Sequence, residues 1–311
     1  MTIVAIRDGQ WHLDGELAYR GAVAEGLLMN VRMVNATFED LGREDFDPAA
    51  STSGFLAHVE DYVAHGIRAF TLCLQGGTPG YEGAVNSAFA ADGTLRDDYM
   101  ARVERAIRAC DAAGAAVILG MFYQRQSGLL RDEKAIRAGV VHAARWVVTS
   151  GLRNVILEVA NEFGHPGFCH AILRDPAGQA DLIRLAKQSA PGVLVSSSGL
   201  GHGRMEPIVA EAADLLLIHY NSTPIGEIPE RIAALRRYGK PIVCNEDVKE
   251  GTKGARAAEL SVEEGASWGL MLEQVNQRYP FRFAGHVDDP IVYRRLRELT
   301  APGGAPRSAG G

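Results

Sequence analysis

Apolar runs alternate with stretches of helical period along almost the whole chain, the pattern of repeated βα units around a parallel sheet. Eight short runs rich in Val, Ile and Leu read as strands: residues 26–34, 67–74, 115–122, 154–161, 192–198, 214–220, 241–246 and 266–272. Between them, Ser53 is predicted to cap a helix running through Val59, Tyr62 and Val63 to Gly66. Asp97 is predicted to cap another through Val103, Ile107 and Cys110 to Gly114. Ile136, Val140, Ala143, Ala144 and Val147 recur at helical spacing up to Gly151, and Trp146 on that stretch reads as a packing residue.

Eight βα units in 311 residues predict one (β/α)8 TIM barrel, a fold of about 250 residues. The first 20 residues carry the turn LDGE between short apolar stretches and read as a hairpin that plugs the bottom of the barrel. The catalytic barrel is expected over residues 1–300. The Pro/Gly-rich end APGGAPRSAGG, residues 301–311, is expected to be disordered.

Composition narrows the function classes. A 47% hydrophobic and 23% charged chain is that of a soluble globular protein with a sizeable core. A net charge of -6 and the lack of a Lys/Arg block argue against a nucleic-acid partner. No apolar run approaches the roughly 20 residues of a membrane span, and the start MTIVAIRDGQW lacks a basic residue followed by a long apolar segment, so a cytoplasmic protein without membrane contact is expected. Cys73, Cys110, Cys169 and Cys244 are widely spaced and read as reduced packing residues; Cys244, two residues before Glu246, is a weaker candidate nucleophile. QGGTPG (75–80) and GLGHG (199–203) lack the P-loop Lys and the G-x-G-x-x-G spacing, and no His/carboxylate set has metal spacing. Neither a cofactor nor a metal is predicted, and the oligomeric state is left open.

The candidate chemistry sits in NVILEVANEFGHPGF, residues 154–168, where Glu158 interrupts an apolar run and Asn161 and Glu162 end it. A buried carboxylate costs several kcal/mol unless it is paired, and the carboxyl ends of barrel strands form the rim where chemistry is placed. Glu162 ends the fourth run and Glu246 the seventh. Two carboxylates across one cleft suit glycosidic cleavage, one protonating the leaving oxygen while the other attacks the anomeric carbon or activates water.

NVILEVANEF and KPIVCNED resemble the strand-four and strand-seven motifs of the cellulase-like glycoside hydrolases of clan A, and His219 and Tyr220 resemble that clan's strand-six pair. The resemblance implies Glu162 as acid/base, Glu246 as nucleophile, Asn161 as a ligand of the substrate 2-hydroxyl, and retention of configuration with carboxyl groups about 5–5.5 Å apart. It departs from the family at Thr71, where an Arg lies late in strand two, at Phe122, where a His ends strand three, and at Phe163, where Pro often follows the Asn-Glu pair. Arg32, on the first strand, either replaces the missing Arg near Glu246 or pairs with Glu158 inside the barrel.

Other candidate substrate ligands are His202 after strand five, Tyr123, Gln124 and Gln126 after strand three, and Glu273, Gln274 and Asn276 after strand eight. Trp268 either stacks on a sugar or is buried. Three Trp in the chain argue for a short pocket and a small β-linked glycoside or oligosaccharide. The alternatives are a non-hydrolytic sugar-processing barrel enzyme and an inactive carbohydrate-binding protein.

Overall fold

The computed structural model describes residues 1–303, and the eight expected strands form a closed parallel ring in it. The amino-terminal segment is a three-stranded antiparallel meander: β1 (Val4–Arg7), β2 (Gln10–Leu13) and β3 (Glu16–Leu17). Both its turns are Asp-Gly pairs, Asp8-Gly9 and Asp14-Gly15, with every φ positive. Such two-residue turns match the right-handed strand twist. The first pair was as legible as the LDGE turn, so the expected hairpin gains a third strand.

The barrel strands are β4 (Asn30–Arg32), β5 (Ala69–Cys73), β6 (Ala116–Phe122), β7 (Val155–Ala160), β8 (Leu194–Ser196), β9 (Leu216–His219), β10 (Ile242–Glu246) and β11 (Gly269–Leu270). Pairing runs β11-β4-β5-β6-β7-β8 and β9-β10. Single bridges Ser198 to Leu217, Val243 to Ser267 and Asp247 to Leu270 close the remaining gaps.

The helices lie outside. The first predicted helix is two: α1 (Pro48–Leu56) and α2 (Val59–Ala64). Asp47, not Ser53, is the cap, accepting from Ala49 and Ala50 N–H with Pro48 opening the first turn. Ser53 lies inside α1 and donates to the Ala49 carbonyl. Asp97 is the first residue of α3 (Asp97–Ala112) rather than its cap, which is Arg96. Next come α4 (Glu133–Thr149), capped by Asp132, and α5 (Pro176–Ser189). The set ends with α6 (Pro207–Ala212), α7 (Ile228–Leu235), α8 (Gly251–Glu263) and α9 (Pro290–Thr300). Trp146 packs half-buried on the helix-sheet core. No helix among the described residues is long and apolar enough to cross a membrane. Of the expected tail, Gly303 N–H donates to the Gly21 carbonyl at 2.9 Å, and residues 304–311 lie outside the described residues.

Inside the ring, side chains two residues apart stack in layers. The bottom layer is apolar: Trp11 of the meander enters among Ala69, Ala116, Ile118, Ile156, Leu217 and Val243, so the meander does plug the barrel. Two residues further along the same strands the layer becomes polar, with Arg32, Thr71, Gly120, Glu158, His219 and Asn245. Arg32 and Glu158 are fully buried, with Arg32 Nη1 3.4 Å from Glu158 Oε2. Gly120 makes room for this pair, because a Cβ there would lie 3.2 Å from both Cys73 Sγ and Glu158 Oε2. Arg32 pairs in register with Thr71 on the neighbouring strand.

Two outcomes are expected in urea denaturation. Trp11→Ala empties the bottom layer and should cost about 3–5 kcal/mol. Arg32→Met strands both Glu158 and Glu246 and should cost about 3–5 kcal/mol, part of it recovered when Glu158→Gln is added, because that share of the penalty belongs to one orphaned carboxylate. Additive losses in that double variant would contradict the pairing.

Candidate active site

Glu162 and Glu246 meet above the polar layer because each strand breaks its alternation at its end. In β10, Asn245 reaches Glu158 at 3.3 Å, yet the next residue, Glu246, also faces inward, because the register with β9 shifts between Cys244 and Glu246. Such an irregularity re-aims one side chain. At the end of β7, Asn161 faces inward, and Glu162 follows it in the left-handed region at φ +49°, with its N–H held by Ser198 Oγ at 2.9 Å. That conformation costs a non-glycine residue on the order of 1 kcal/mol, and such strain concentrates at functional sites.

Arg32 ties the two strands together. Its Nη2 donates to Asn161 Oδ1 at 2.5 Å, and its Nε lies 2.8 Å from Glu246 Oε2 as a close ion pair whose N–H is not aligned with the oxygen. Arg32 therefore pairs with Glu158 below and Glu246 above. The other oxygen of Glu246 accepts from Asn221 Nδ2.

His219 stands between the carboxylates, its Nδ1 3.3 Å from Glu162 Oε1 and 3.6 Å from Glu246 Oε2. Burial disfavours its charged form, but Glu246 and Glu162 outweigh that and raise its pKa above the ordinary value. Glu162 moves the other way: burial alone would raise it, but the bond to His219 and the charges of His219, His165 and Arg32 bring it below the usual carboxylate range. Gln124 donates to Glu162 Oε2 at 3.3 Å and accepts from Asn161 Nδ2 at 3.0 Å, so the Asn161 amide is engaged at both ends.

The remaining candidates divide by side. At the end of β6 the inward residue is Tyr123; Phe122 packs outward against Gly139 of α4 and stacks with Phe89. Burial, then Glu246, keeps the Tyr123 phenol protonated as a donor. Tyr220 is buried among the helices, against Gly203 and Ser261 of α8, and Trp268 is buried with its Nε1–H on Asp247 Oδ2 at 2.9 Å. Neither faces the cleft, because each is one residue out of phase with an inward neighbour. His202 is exposed beside Phe163 in a hollow of about 290 Å³ next to Glu162. Gln126 holds the Ala84 carbonyl, and Asn276 is buried against Met33. Cys244 is a buried free thiol raised well above its ordinary pKa by burial, which removes it as a nucleophile at neutral pH. The open cleft, about 430 Å³, is walled by Tyr81, Tyr123, Gln124, His165, Gln277 and Arg278.

Asn221, Asn245 and Ser198 escaped the sequence reading. Asn221 had a signal, being two residues beyond His219. Glu162, His219 and Glu246 each offer one ligand atom, all within 4.8 Å of one another, and could chelate a cation. The Arg32 guanidinium already supplies a positive charge at Glu246 and competes with one.

No family model and no curated protein matches this sequence. Solved structures do match in shape. An endo-1,4-β-mannanase from Rhizomucor miehei superposes with a TM-score of 0.63 at 11% identity, over 96% of this chain and 99% of that one. An endo-1,4-β-mannanase from Eisenia fetida gives 0.62 at 14% identity, over 96% of both chains. A Bacteroides vulgatus protein provisionally described as a glycoside hydrolase gives 0.68 at 11% identity, and this chain spans 96% of itself but 60% of that protein. At such identities the likeness establishes the shared barrel fold.

Proposed function

We propose that the protein is a retaining glycoside hydrolase acting on a short β-linked glycoside. The observation that carries the reading is the approach of a Glu162 oxygen and a Glu246 oxygen to within 4.8 Å, from the ends of the fourth and seventh barrel strands, with His219 between them. That spacing suits direct attack on the sugar, whereas inverting enzymes leave about 6.5–9.5 Å for a water. Endo-1,4-β-mannanases among the fold neighbours support the same class.

In this reading Glu246, positioned by Arg32 and Asn221, attacks the anomeric carbon. Glu162 gives its proton to the departing oxygen, then takes one from the water that releases the sugar from Glu246. Tyr123, which lines the cleft with its phenol protonated, is a donor available to the sugar. The missing strand-two Arg argues less for a binding-only protein than sequence suggests, because Arg32 reaches Glu246 from the neighbouring strand. A short substrate follows from the aromatic placement: Trp11 and Trp268 are buried and Trp146 lies on α4, leaving Tyr81 and Tyr123 as the cleft aromatics.

The test is hydrolysis of a panel of aryl β-glycosides, with the anomer of the first product followed by NMR. Retention in the wild type, with Glu246→Gln reduced to background, is expected; inversion, or activity in Glu246→Gln, would sink the assignment. Glu162→Gln should lose about 10²–10⁴-fold on poor leaving groups and far less on a dinitrophenyl glycoside, which needs no protonation.

The pH profile tests His219 separately. Glu162 must carry a proton to act, and its lowered pKa places that form on the acid side, so activity on poor leaving groups should be favoured by acid and fall as pH rises. His219→Ala removes the partner that lowers Glu162, so the falling alkaline limb should move to higher pH. An unmoved limb would show that His219 does not tune Glu162.

A further inference from the structure

Away from the cleft, the loop after β11 meets α2 at a cluster that the proposed chemistry does not use. Asp61 lies on α2 and His65, four residues on, is the C-terminal cap of that helix, while His286 lies in the short turn Gly285–Asp288. His286 approaches Asp61 twice, by its backbone N–H at 2.6 Å from Oδ2 and by Nδ1 at 2.9 Å from Oδ2 and 3.1 Å from Oδ1. His65 Nδ1 lies 3.5 Å from the same Oδ1, and the two imidazoles stack with centroids 4.0 Å apart and planes 16° from parallel. Gly285 shapes the contact: at φ +68°, a Cβ there would sit 1.9 Å from Asp61 Oδ2.

We propose that Asp61, His65 and His286 form a binding site for a divalent transition metal, Zn²⁺ by donor type, which clamps the loop after the eighth barrel strand to the helix region after the first. Zinc bonds of about 2.0–2.1 Å to His and carboxylate place tetrahedral ligand atoms roughly 3.3 Å apart. Two of the three edges already have that length, 3.1 Å from Asp61 Oδ1 to His286 Nδ1 and 3.5 Å to His65 Nδ1. All three ligand atoms lie within 4.8 Å of one another, and turning the His65 ring out of its stack on His286 aims both lone pairs at one ion and sets the third edge. His65 Nδ1 also lies 2.8 Å from the Asp61 carbonyl, a bond that coordination replaces. Two imidazoles and one carboxylate favour Zn²⁺ over Ca²⁺ or Mg²⁺, which take oxygen sets, and partial exposure leaves a fourth position for water.

Hydrogen bonding alone explains the Asp61–His286 contact. It does not require a second imidazole nitrogen within 3.5 Å of the same carboxylate. The clamped loop begins with Glu273, Gln277 and Arg278 of the cleft wall, so an ion here would steady that wall from the barrel's side.

The probes are ZnCl₂ and CoCl₂ added to chelator-treated full-length protein, read by calorimetry, by melting temperature and by the visible absorption of tetrahedral Co²⁺. The expected result is one tight equivalent of Zn²⁺, a melting temperature raised by several degrees, and a tetrahedral Co²⁺ spectrum. His65→Ala and His286→Ala should each weaken Zn²⁺ by at least about tenfold, the loss seen even for outer-sphere partners, and abolish the spectrum. His286→Gln, which keeps a polar side chain against the loop, should behave alike, and circular dichroism before metal is added verifies that each variant is folded. Glu246→Gln separates this site from the carboxylates of the cleft and should bind as the wild type does. No binding up to millimolar Zn²⁺, binding that survives both histidine variants, or binding lost in Glu246→Gln would each overturn the proposal, without bearing on glycosidase activity.

Discussion

The site depends on one buried charge. Arg32 is fully enclosed, and its guanidinium meets Glu158, Asn161 and Glu246 from strands that are distant in sequence. A planar fork with several donors can serve three acceptors at once, which an ammonium on a flexible stem cannot do as well. Burial of a lone cation would be prohibitive; two carboxylates around it make burial tolerable and fix its position. The carboxylates in turn are held in place by the cation they share. Glu158 is thus the floor of the site even though it touches nothing in the cleft, and Gly120 is the vacancy that lets floor and cation meet.

A regular strand delivers one inward residue in two, so a rim built only from regular strands spreads its functional groups thinly. This chain concentrates them with two local irregularities: the register shift that turns Glu246 inward after Asn245, and the left-handed backbone of Glu162 directly after inward-facing Asn161. His219 gains its double contact from the plain alternation of β9. The same alternation consigns Tyr220 to the helical layer.

Closure of the ring also leans on side chains. β11 has two residues, and the joins on either side of it use little backbone pairing. Leu28 N–H donates to Ser267 Oγ at 2.8 Å, and Asn30 Nδ2 donates to the Cys244 carbonyl at 3.1 Å, crossing the seam where strands first and last meet. Gly269 is required opposite Asn30, since a Cβ there would lie 2.0 Å from Asn30 Oδ1. The polar seam supplies the hydrogen bonds that short strands leave unmade.

The barrel was legible in the order of apolar runs because burial between helices and interior demands Val, Ile and Leu in each strand, whatever the partners are. Glu162 and Glu246 were legible for a related reason: carboxylates ending such runs have few structural uses. Helix starts were read less well, since Asp47, six residues before Ser53, caps the first helix and Pro48 opens it. What the sequence could not decide is phase and proximity. That Arg32 serves both Glu158 and Glu246, that Tyr123 rather than Phe122 faces the cleft, and that Trp268 is buried on Asp247 all follow from strand register and single-residue irregularities. Likewise His286 comes to Asp61 and His65 only because the ring closes and brings its last loop against its first helices. Composition and period record how a segment is solvated, whereas these contacts join residues far apart in the chain, and only the closed barrel brings them together.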